Sequence, residues 1–144
     1  EAYAQLDQPI EYLIMPFLTG QECSVDIACS NGQILALVTR VKFKFYQQCY
    51  IEHPCHEICK ILVQHFQCDG LINIQFKQDD LGVWHILEIN PRPAGGFAYT
   101  QHTGINLIAE LMAEKLQLTL QHTDLVPVVQ VLPITQSFKM DCTH

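Results

Sequence analysis

The sequence predicts an α+β fold in which a largely antiparallel sheet is flanked by helices. Three observations lead to this prediction. Several segments of strand length are apolar or alternate between apolar and polar residues, an Asn31-Gly32 pair stands between two of them, and only two segments have helical periodicity. Asparagine and glycine both tolerate the positive φ that a two-residue hairpin needs, so consecutive strands are expected to pair.

The first half of the chain is expected to contribute three strands. "EYLIMPFL" is predicted as a buried strand that enters a turn at Thr19 and Gly20. "ECSVDIAC" and "ILALVTRVK" are predicted as the two strands of the hairpin that turns at "SNGQ". The stretch from Phe43 to Glu52 has no clear period and is expected to be a loop.

A first helix is predicted to begin at Pro54, to run to about Cys68 and to end at a left-handed Gly70. Its inner face is expected to comprise Cys55, Ile58, Cys59, Leu62 and Phe66. The strands "LINIQFK" and "VWHILEIN" follow, and then the irregular loop "PRPAGGFAYTQHTG".

A second helix is predicted for "INLIAELMAEKLQL". Its inner face is expected to comprise Ile105, Ile108, Leu111, Met112 and Leu116. The segment "LVPVVQVLPI" is predicted as a strand interrupted by Pro127 and Pro133. We interpret residues 1–144 as one domain in which 117–144 form a C-terminal tail.

The composition excludes several classes of function. A formal net charge of −7 with only eight lysines and arginines argues against a nucleic-acid partner. No apolar run is long enough to span a bilayer and no signal peptide is present, so we expect a cytoplasmic protein without a membrane partner. Because the chain begins at Glu1 rather than methionine, it is expected to be cut from a longer protein.

The seven cysteines are predicted to be reduced, because their number is odd and a chain of this length needs no disulfides. The run "CYIEHPCHEIC" contains Cys49, His53, Cys55, His56 and Cys59. It lacks the paired C-x-x-C of zinc knuckles, and helical spacing with buried cysteines explains it better. A Cys/His metal-binding module is therefore kept as the less favoured alternative.

Polar side chains occupy alternate positions in the two strands after the first helix. Asn73 and Gln75 share one face of the first strand, and Glu88 and Asn90 share one face of the second. We predict that Gln78 pairs with Val83 across a four-residue loop, which would place Asn73 opposite Glu88 and make Gln75 the diagonal neighbour of Glu88. A loop with an odd number of residues would separate the two polar sets unless a β-bulge corrected the register.

Carboxylate and amide oxygens of this kind suit Mg²⁺, which completes its coordination with phosphates and water. Arg92 follows Asn90 beyond a proline, and its guanidinium is suited to a phosphate. Gly95 and Gly96 would let backbone amides approach an anion closely. The alternative is a solvated sheet face with a polar turn, which antiparallel sheets often have.

These residues resemble a known family. "INIQFK", "ILEINPRPAGG" and "TGINL" resemble the C-terminal half of an ATP-grasp domain of the carbamoyl-phosphate synthetase large-chain type. "PFLTGQECSVDI" is similar to the turn and strand that precede it, with a G-x-E followed by S-V-D. The resemblance covers about Tyr12 to Leu116 and implies the C-terminal part of an ATP-grasp fold.

The resemblance also implies roles for individual residues. Gln75, Glu88 and Asn90 match ligands of the magnesium ions, with Mn²⁺ as an alternative ion. Arg92 matches the arginine that stabilises the transferred phosphoryl group.

The remaining matches concern the nucleotide. Asn73 resembles a supporting residue, Glu22 matches the acid that holds the ribose, and the backbone near Met15 and Leu18 would frame the adenine. For Arg40 and Lys42 two roles stay open: they contact phosphate, or they are surface charges.

The chain departs from the family pattern in two respects. The hinge often has an acidic residue where Met15 and Pro16 stand, which leaves backbone groups to hold the adenine. No glycine-rich loop with a lysine, which forms the lid over the phosphates in this family, precedes Tyr12. The chain is therefore expected to be a truncated C-terminal piece that is inactive alone and whose exposed apolar surface allows self-association.

The implied activity is ATP-dependent ligation of a small-molecule carboxylate to an amine through an acyl phosphate. A non-catalytic ATP-grasp-like module that binds a nucleotide or a partner is the alternative.

Overall fold

A computed structural model describes residues 15–122 and 124–134, which form one six-stranded sheet and its flanking helices. The strands are β1 (Glu22–Ser30), β2 (Gln33–Lys42), β3 (Gln47–Tyr50), β4 (Gly70–Gln78), β5 (Trp84–Asn90) and β6 (Val128–Val131). The helices are α1 (Cys55–His65), α2 (Leu107–Leu116) and a 3₁₀ helix (Phe97–Thr103). The fold is thus α+β, as the sequence predicts.

All neighbouring strands pair antiparallel, in the order β5-β4-β1-β2-β3-β6. The β1–β2 hairpin turns at Asn31 and Gly32, whose φ angles of 50° and 75° confirm the predicted turn. β4 pairs with β1, so the second hairpin, β4–β5, joins the sheet beside the first. No helix in the described part of the chain has the length and apolar character needed to cross a membrane.

The main core lies between the sheet and α1. Its side chains come from alternate positions of β1 and β4 and from one face of α1; the principal members are Cys23, Val25, Ile27, Ile72, Ile74, Phe76, Cys55, Cys59 and Val63. We call this side of the sheet the apolar face. α2 contacts β1, β2 and β4, but its buried residues Leu107 and Ala113 are not part of this core, so α2 covers the opposite side.

The end of α1 differs from the prediction. The helix stops at His65, and Gln67, with φ 50°, is the left-handed residue that follows it. Gly70 also has a positive φ, 111°, but it lies at the start of β4. The Cys68 N–H then donates to the Val63 carbonyl (3.0 Å), which satisfies a carbonyl at the helix end. Phe66 lies beyond the last turn and is 60% exposed, so its predicted place in the core is wrong.

The predicted inner face of α2 is wrong in part: Ile105 and Leu111 are half-buried, but the other three members are exposed. Ile108, Met112 and Leu116 are each at least half exposed, whereas Leu107 and Ala113 are buried. The helix begins after Asn106, whose side chain accepts a hydrogen bond from the Ala109 N–H (3.1 Å). Apolar residues occur around much of this helix, so their period does not single out one face.

Three segments differ in secondary structure. Residues 11–14 of the predicted first strand lie outside the described residues, and 15–18 are not a strand, which the fixed φ and missing N–H of Pro16 explain. β3 forms within the predicted loop Phe43–Glu52, because β2 and the distant β6 pair with its two edges. The loop after β5 contains the 3₁₀ helix.

Burial of His56 makes the stability of the fold depend on pH. Its Nε2 and the Thr39 hydroxyl are 2.8 Å apart beneath α1. Burial, followed by the charges of His53 and Lys60, lowers the pKa of His56 from 6.5 to about 4. The folded state therefore holds this ring neutral at a pH where the unfolded chain protonates it.

We predict that the free energy of unfolding contains a contribution from His56 that is fully present above pH 6.5. It is lost as the pH falls from 6.5 through 4, by roughly 3 kcal/mol in all. His56→Gln keeps a hydrogen-bonding group but cannot titrate, so urea unfolding of the variant should depend less steeply on pH in this range. Parallel curves for the two proteins would show that His56 is protonated equally in both states.

Candidate functional site

A β-bulge in β5 determines which side chains face the candidate site. Gln75 pairs with Glu88 and Phe76 pairs with Ile86, so Leu87 is the additional residue. The strands first pair at Gln78 and Trp84, which leaves an odd, five-residue loop. The predicted register, with Gln78 opposite Val83, is therefore wrong, and the bulge restores the common face.

The bulge also divides β5 between the two sides of the sheet. Simple alternation predicts that Trp84 and Ile86 share a face with Glu88, but the extra residue places Trp84 against the apolar core. Glu88 and Asn90 consequently face the same way as Gln75 and Asn73, which lie directly opposite them. The four predicted donors therefore share one face, with Gln75 a direct partner of Glu88 rather than a diagonal one.

Together with β1 and β2, these residues form a surface that we call the polar face. It contains three rows across the strands β2, β1, β4 and β5. The rows are Lys42, Glu22, Lys77 and His85; Arg40, Ser24, Gln75 and Glu88; and Val38, Asp26, Asn73 and Asn90. Neighbouring strands lie about 4.8 Å apart, so adjacent members of one row are within reach of a common ligand.

The outer end of the polar face is open to solvent. Glu88 is exposed and Gln75 and Asn90 are half-buried. The Asn90 side-chain amide donates to Glu88 Oε1 (2.7 Å), which orients the carboxylate and leaves the Asn90 amide oxygen available. Carboxylate and amide oxygens thus converge at an accessible position.

The inner part of the polar face contains a buried ion pair. Arg40 donates from Nε to Asp26 Oδ2 (2.5 Å) and from Nη1 to Gln47 Oε1 (2.7 Å). Asn73 donates to Asp26 Oδ1 (2.9 Å). Burial raises the pKa of Asp26, while its hydrogen bonds with Arg40 and Asn73 oppose that shift.

Two atoms of this network lack a hydrogen-bond partner among the described residues. They are Nη2 of Arg40 and Oδ1 of Asn73, both buried. Arg40 is only 2% exposed, so it is not a surface charge. Buried polar atoms are normally satisfied, so these two indicate where a bound polar group would be accommodated.

Glu22 and Lys42 form an ion pair at the edge of the polar face. Both side chains are partly exposed, and Lys77 occupies the opposing position on β4. Gly20 of the G-x-E motif lies against β4, where an added Cβ would come within 2.7 Å of the Gln78 Cβ. The glycine therefore permits the close approach that places Glu22 on the polar face.

Arg92 follows the polar face directly after β5. It is exposed, and its Nη1 donates to the Pro93 carbonyl (3.2 Å). An added Cβ on Gly96 would collide with Arg40 Nη1, so this glycine makes room for the buried guanidinium. The glycine pair is thus explained in part by packing.

The segment 15–19 has no regular structure before β1. Leu18 is buried and the Met15 side chain is 45% exposed. The Gly20 N–H donates to the Gln78 carbonyl (2.9 Å), which ties this segment to the end of β4.

Residues 8–138 match the model of a family described as "ATP-grasp in the biosynthetic pathway with Ter operon". The chain belongs to this ATP-grasp family. The predicted membership of the ATP-grasp superfamily is confirmed, while the carbamoyl-phosphate synthetase type stays a prediction. A search of curated proteins finds no match to this ATP-grasp chain.

Solved structures show the same fold. The chain is similar to N5-carboxyaminoimidazole synthetase from Staphylococcus aureus complexed with ADP, at 15% identity and a TM-score of 0.53. A second structure of that synthetase gives 14% identity and a TM-score of 0.52. Each match covers 73% of this ATP-grasp chain and 32% of the synthetase, so the chain spans about a third of the proteins that it matches.

Sequence reasoning missed Asp26 as the centre of the polar face. The signal was present in "ECSVDIAC", where Glu22, Ser24 and Asp26 alternate with apolar residues. The partnership of Asp26 with Arg40 could not be read from the sequence, because it depends on the register of the β1–β2 hairpin.

We predict that Arg40→Met in this ATP-grasp chain lowers the free energy of unfolding by about 3–5 kcal/mol, because Asp26 is left buried without its counter-ion. The matched control is Lys42→Met, two residues along β2, whose partly exposed pair with Glu22 should contribute about 0–1 kcal/mol. Equal effects of the two substitutions in urea unfolding would contradict the importance of the buried pair.

Proposed function

We propose that the chain contributes the metal and phosphate half of an ATP site that ligates a carboxylate to an amine through an acyl phosphate. The observation that carries this proposal is the direct pairing of Gln75 with Glu88, with Asn90 bonded to Glu88 on the same face. Arg92 follows two residues after Asn90 at the end of β5. Membership of the ATP-grasp family supports the proposal.

The donor set fits magnesium. Mg²⁺ is usually held by one or two carboxylates together with phosphate oxygens and water. Glu88 supplies one carboxylate, and the side-chain oxygens of Gln75 and Asn90 supply neutral donors. Mn²⁺ accepts the same oxygen ligands. Bound at this position, either ion would neutralise phosphate charge.

The work of the protein side chains is positioning and charge compensation. Phosphoryl transfer requires little covalent chemistry from the protein, which agrees with a site built of carboxylate, amide and guanidinium groups. Asn90 holds the Glu88 carboxylate in place through its hydrogen bond. Arg92, bonded only to a neighbouring carbonyl among the described residues, is available to a developing negative charge.

The inner network is proposed to support the nucleotide side of the site. Asn73 and Arg40 each present one unpaired polar atom, an acceptor and a donor respectively. Glu22 is assigned to the ribose hydroxyls, and the backbone near Met15 and Leu18 to the adenine. One of the similar synthetase structures was determined with ADP, which is in keeping with a nucleotide partner here.

Other segments of a longer enzyme are proposed to complete the cleft. The chain spans about a third of the synthetase that it matches. We assign the lid over the phosphates and much of the substrate pocket to sequence beyond these residues. The isolated chain should therefore bind nucleotide weakly and should not turn over.

We predict that Glu88→Gln, made in the enzyme that contains this chain, lowers magnesium-dependent ADP formation at least about 100-fold. The reason is that the variant loses the only carboxylate of the donor set. ADP release would be measured across candidate carboxylates and amines. Glu114→Gln, on the exposed surface of α2, is the matched control and should leave the rate unchanged.

Normal turnover by Glu88→Gln would contradict the assigned role of Glu88. Magnesium-dependent nucleotide binding without ADP formation for any substrate pair would instead favour a non-catalytic binding module.

A further inference from the structure

A second group of ligand-type side chains lies on the apolar face, on the other side of the sheet from the candidate ATP site. It consists of Cys23 on β1, His53 before α1 and Cys55, the first residue of α1. One ligand atom from each lies within 4.8 Å of the other two. Cys23 and Cys55 are buried, and His53 is half-buried.

The spacing of the two sulfur atoms matches a tetrahedral metal site. The Sγ atoms of Cys23 and Cys55 are 3.9 Å apart. Two thiolates that share a tetrahedral Zn²⁺ at about 2.3 Å are separated by roughly 3.8 Å. A disulfide would require the sulfur atoms to approach to about 2.05 Å. The present geometry therefore fits a shared ion better than a covalent bond.

The surroundings favour a thiolate at Cys55. Its thiol stands at the N-terminus of α1, where the helix dipole favours negative charge. The hydrogen bond with Cys23 lowers the pKa of Cys55, although burial opposes this shift, and the same bond raises the pKa of Cys23. The proposed site therefore depends on the positions of the ligand atoms and not on these shifts.

His53 is held in a fixed orientation. Its Nδ1 accepts a hydrogen bond from the Cys55 backbone N–H (3.3 Å), which holds the ring at the start of α1. A metal ion would bind Nε2, or would bind Nδ1 in place of this hydrogen bond. The His53 ring contacts the edge of Trp84 and lies near Tyr50, with centroid distances of 5.2 and 5.9 Å. Aromatic packing thus restricts the ring in addition to the hydrogen bond at Nδ1.

We propose that Cys23, His53 and Cys55 bind one Zn²⁺ ion that links β1 to α1. Cys59 is also buried and lies one helical turn after Cys55, but it is outside the group of mutually close ligand atoms, so the fourth position is left to water. Binding converts two thiols to thiolates and releases their protons, so the affinity should rise with pH. Two neutralising thiolates and an imidazole form a donor set that suits this ion.

The proposed site differs from the metal site considered for "CYIEHPCHEIC". Cys49 lies on the opposite side of the sheet, where its thiol donates to the Tyr99 carbonyl (3.6 Å). His56 is bonded to Thr39. The completing ligand, Cys23, comes from a strand 32 residues away from Cys55.

The test uses the reduced chain after removal of metal with a chelator, and Co²⁺ as a spectroscopic probe. We expect one equivalent of Co²⁺ to bind with a thiolate-to-metal absorption band, and Zn²⁺ to displace it. His53→Gln and Cys55→Ser should each weaken binding at least about 10-fold. Zn²⁺ should also raise the melting temperature of the wild-type chain but not that of the variants.

His65→Gln and Cys68→Ser are the matched controls, because both residues lie at the end of α1 and outside the group. They should bind metal as the wild type does. His53→Gln alters a half-buried side chain, so it keeps the test decisive if Cys55→Ser is poorly folded. Absence of stoichiometric thiolate-bound Co²⁺, or equal binding by wild type and His53→Gln, would overturn the proposal.

Discussion

One additional residue in β5 determines the chemistry of the polar face. Without Leu87 in the bulge, strict alternation would place Trp84 and Glu88 on the same side of the sheet. Either the indole would leave the core or the carboxylate would leave the polar face. The bulge removes this conflict, because it lets the start of β5 complete the apolar core and its end complete the donor set. Bulges often re-aim side chains next to functional sites, and this one has that effect.

The positions of the side chains on the polar face also depend on a rigid network within the sheet. The ion pair between Asp26 and Arg40 lies in the middle of the sheet, and Gln47 and Asn73 extend it to β3 and β4. A buried pair of this kind adds little net stability by itself, but it is costly to break. It therefore fixes the relative positions of strands whose outer ends present Gln75 and Glu88. Gly96 has no side chain to obstruct Arg40, which connects the glycine pair after β5 to the same support.

Local sequence signals predicted most of the elements. The Asn31-Gly32 turn, the two strands of the first hairpin and the existence of both helices depend on neighbouring residues, and all of them are confirmed. β3 was not predictable in this way, because its pairing partners β2 and β6 are brought together only by the fold. The predicted inner face of α2 was wrong in part because the contact is made by Leu107 and the small Ala113, while Ile108, Met112 and Leu116 are at least half exposed.

The candidate site was predictable in composition but not in register. The donors and the family resemblance followed from "INIQFK" and "LEINPR", and the structure places the four donors on one face. The pairing of residues across β4 and β5 depends on the length of the loop between them and on the bulge. No local sequence pattern specified either of these. The Cys23–His53–Cys55 group could not be predicted from local sequence either, because its members come from two distant parts of the chain.

The central claim is that the oxygens of Gln75, Glu88 and Asn90 gather around one divalent ion, and paramagnetic broadening by Mn²⁺ tests it most directly. Nuclear magnetic resonance can follow the side-chain amide signals of the ¹⁵N-labelled chain at high ADP concentration, even when binding is weak. The account predicts that Mn²⁺ broadens the signals of Gln75 and Asn90 first and leaves Gln64 on α1 unaffected. Uniform broadening, or broadening that spares Gln75 and Asn90, would contradict it.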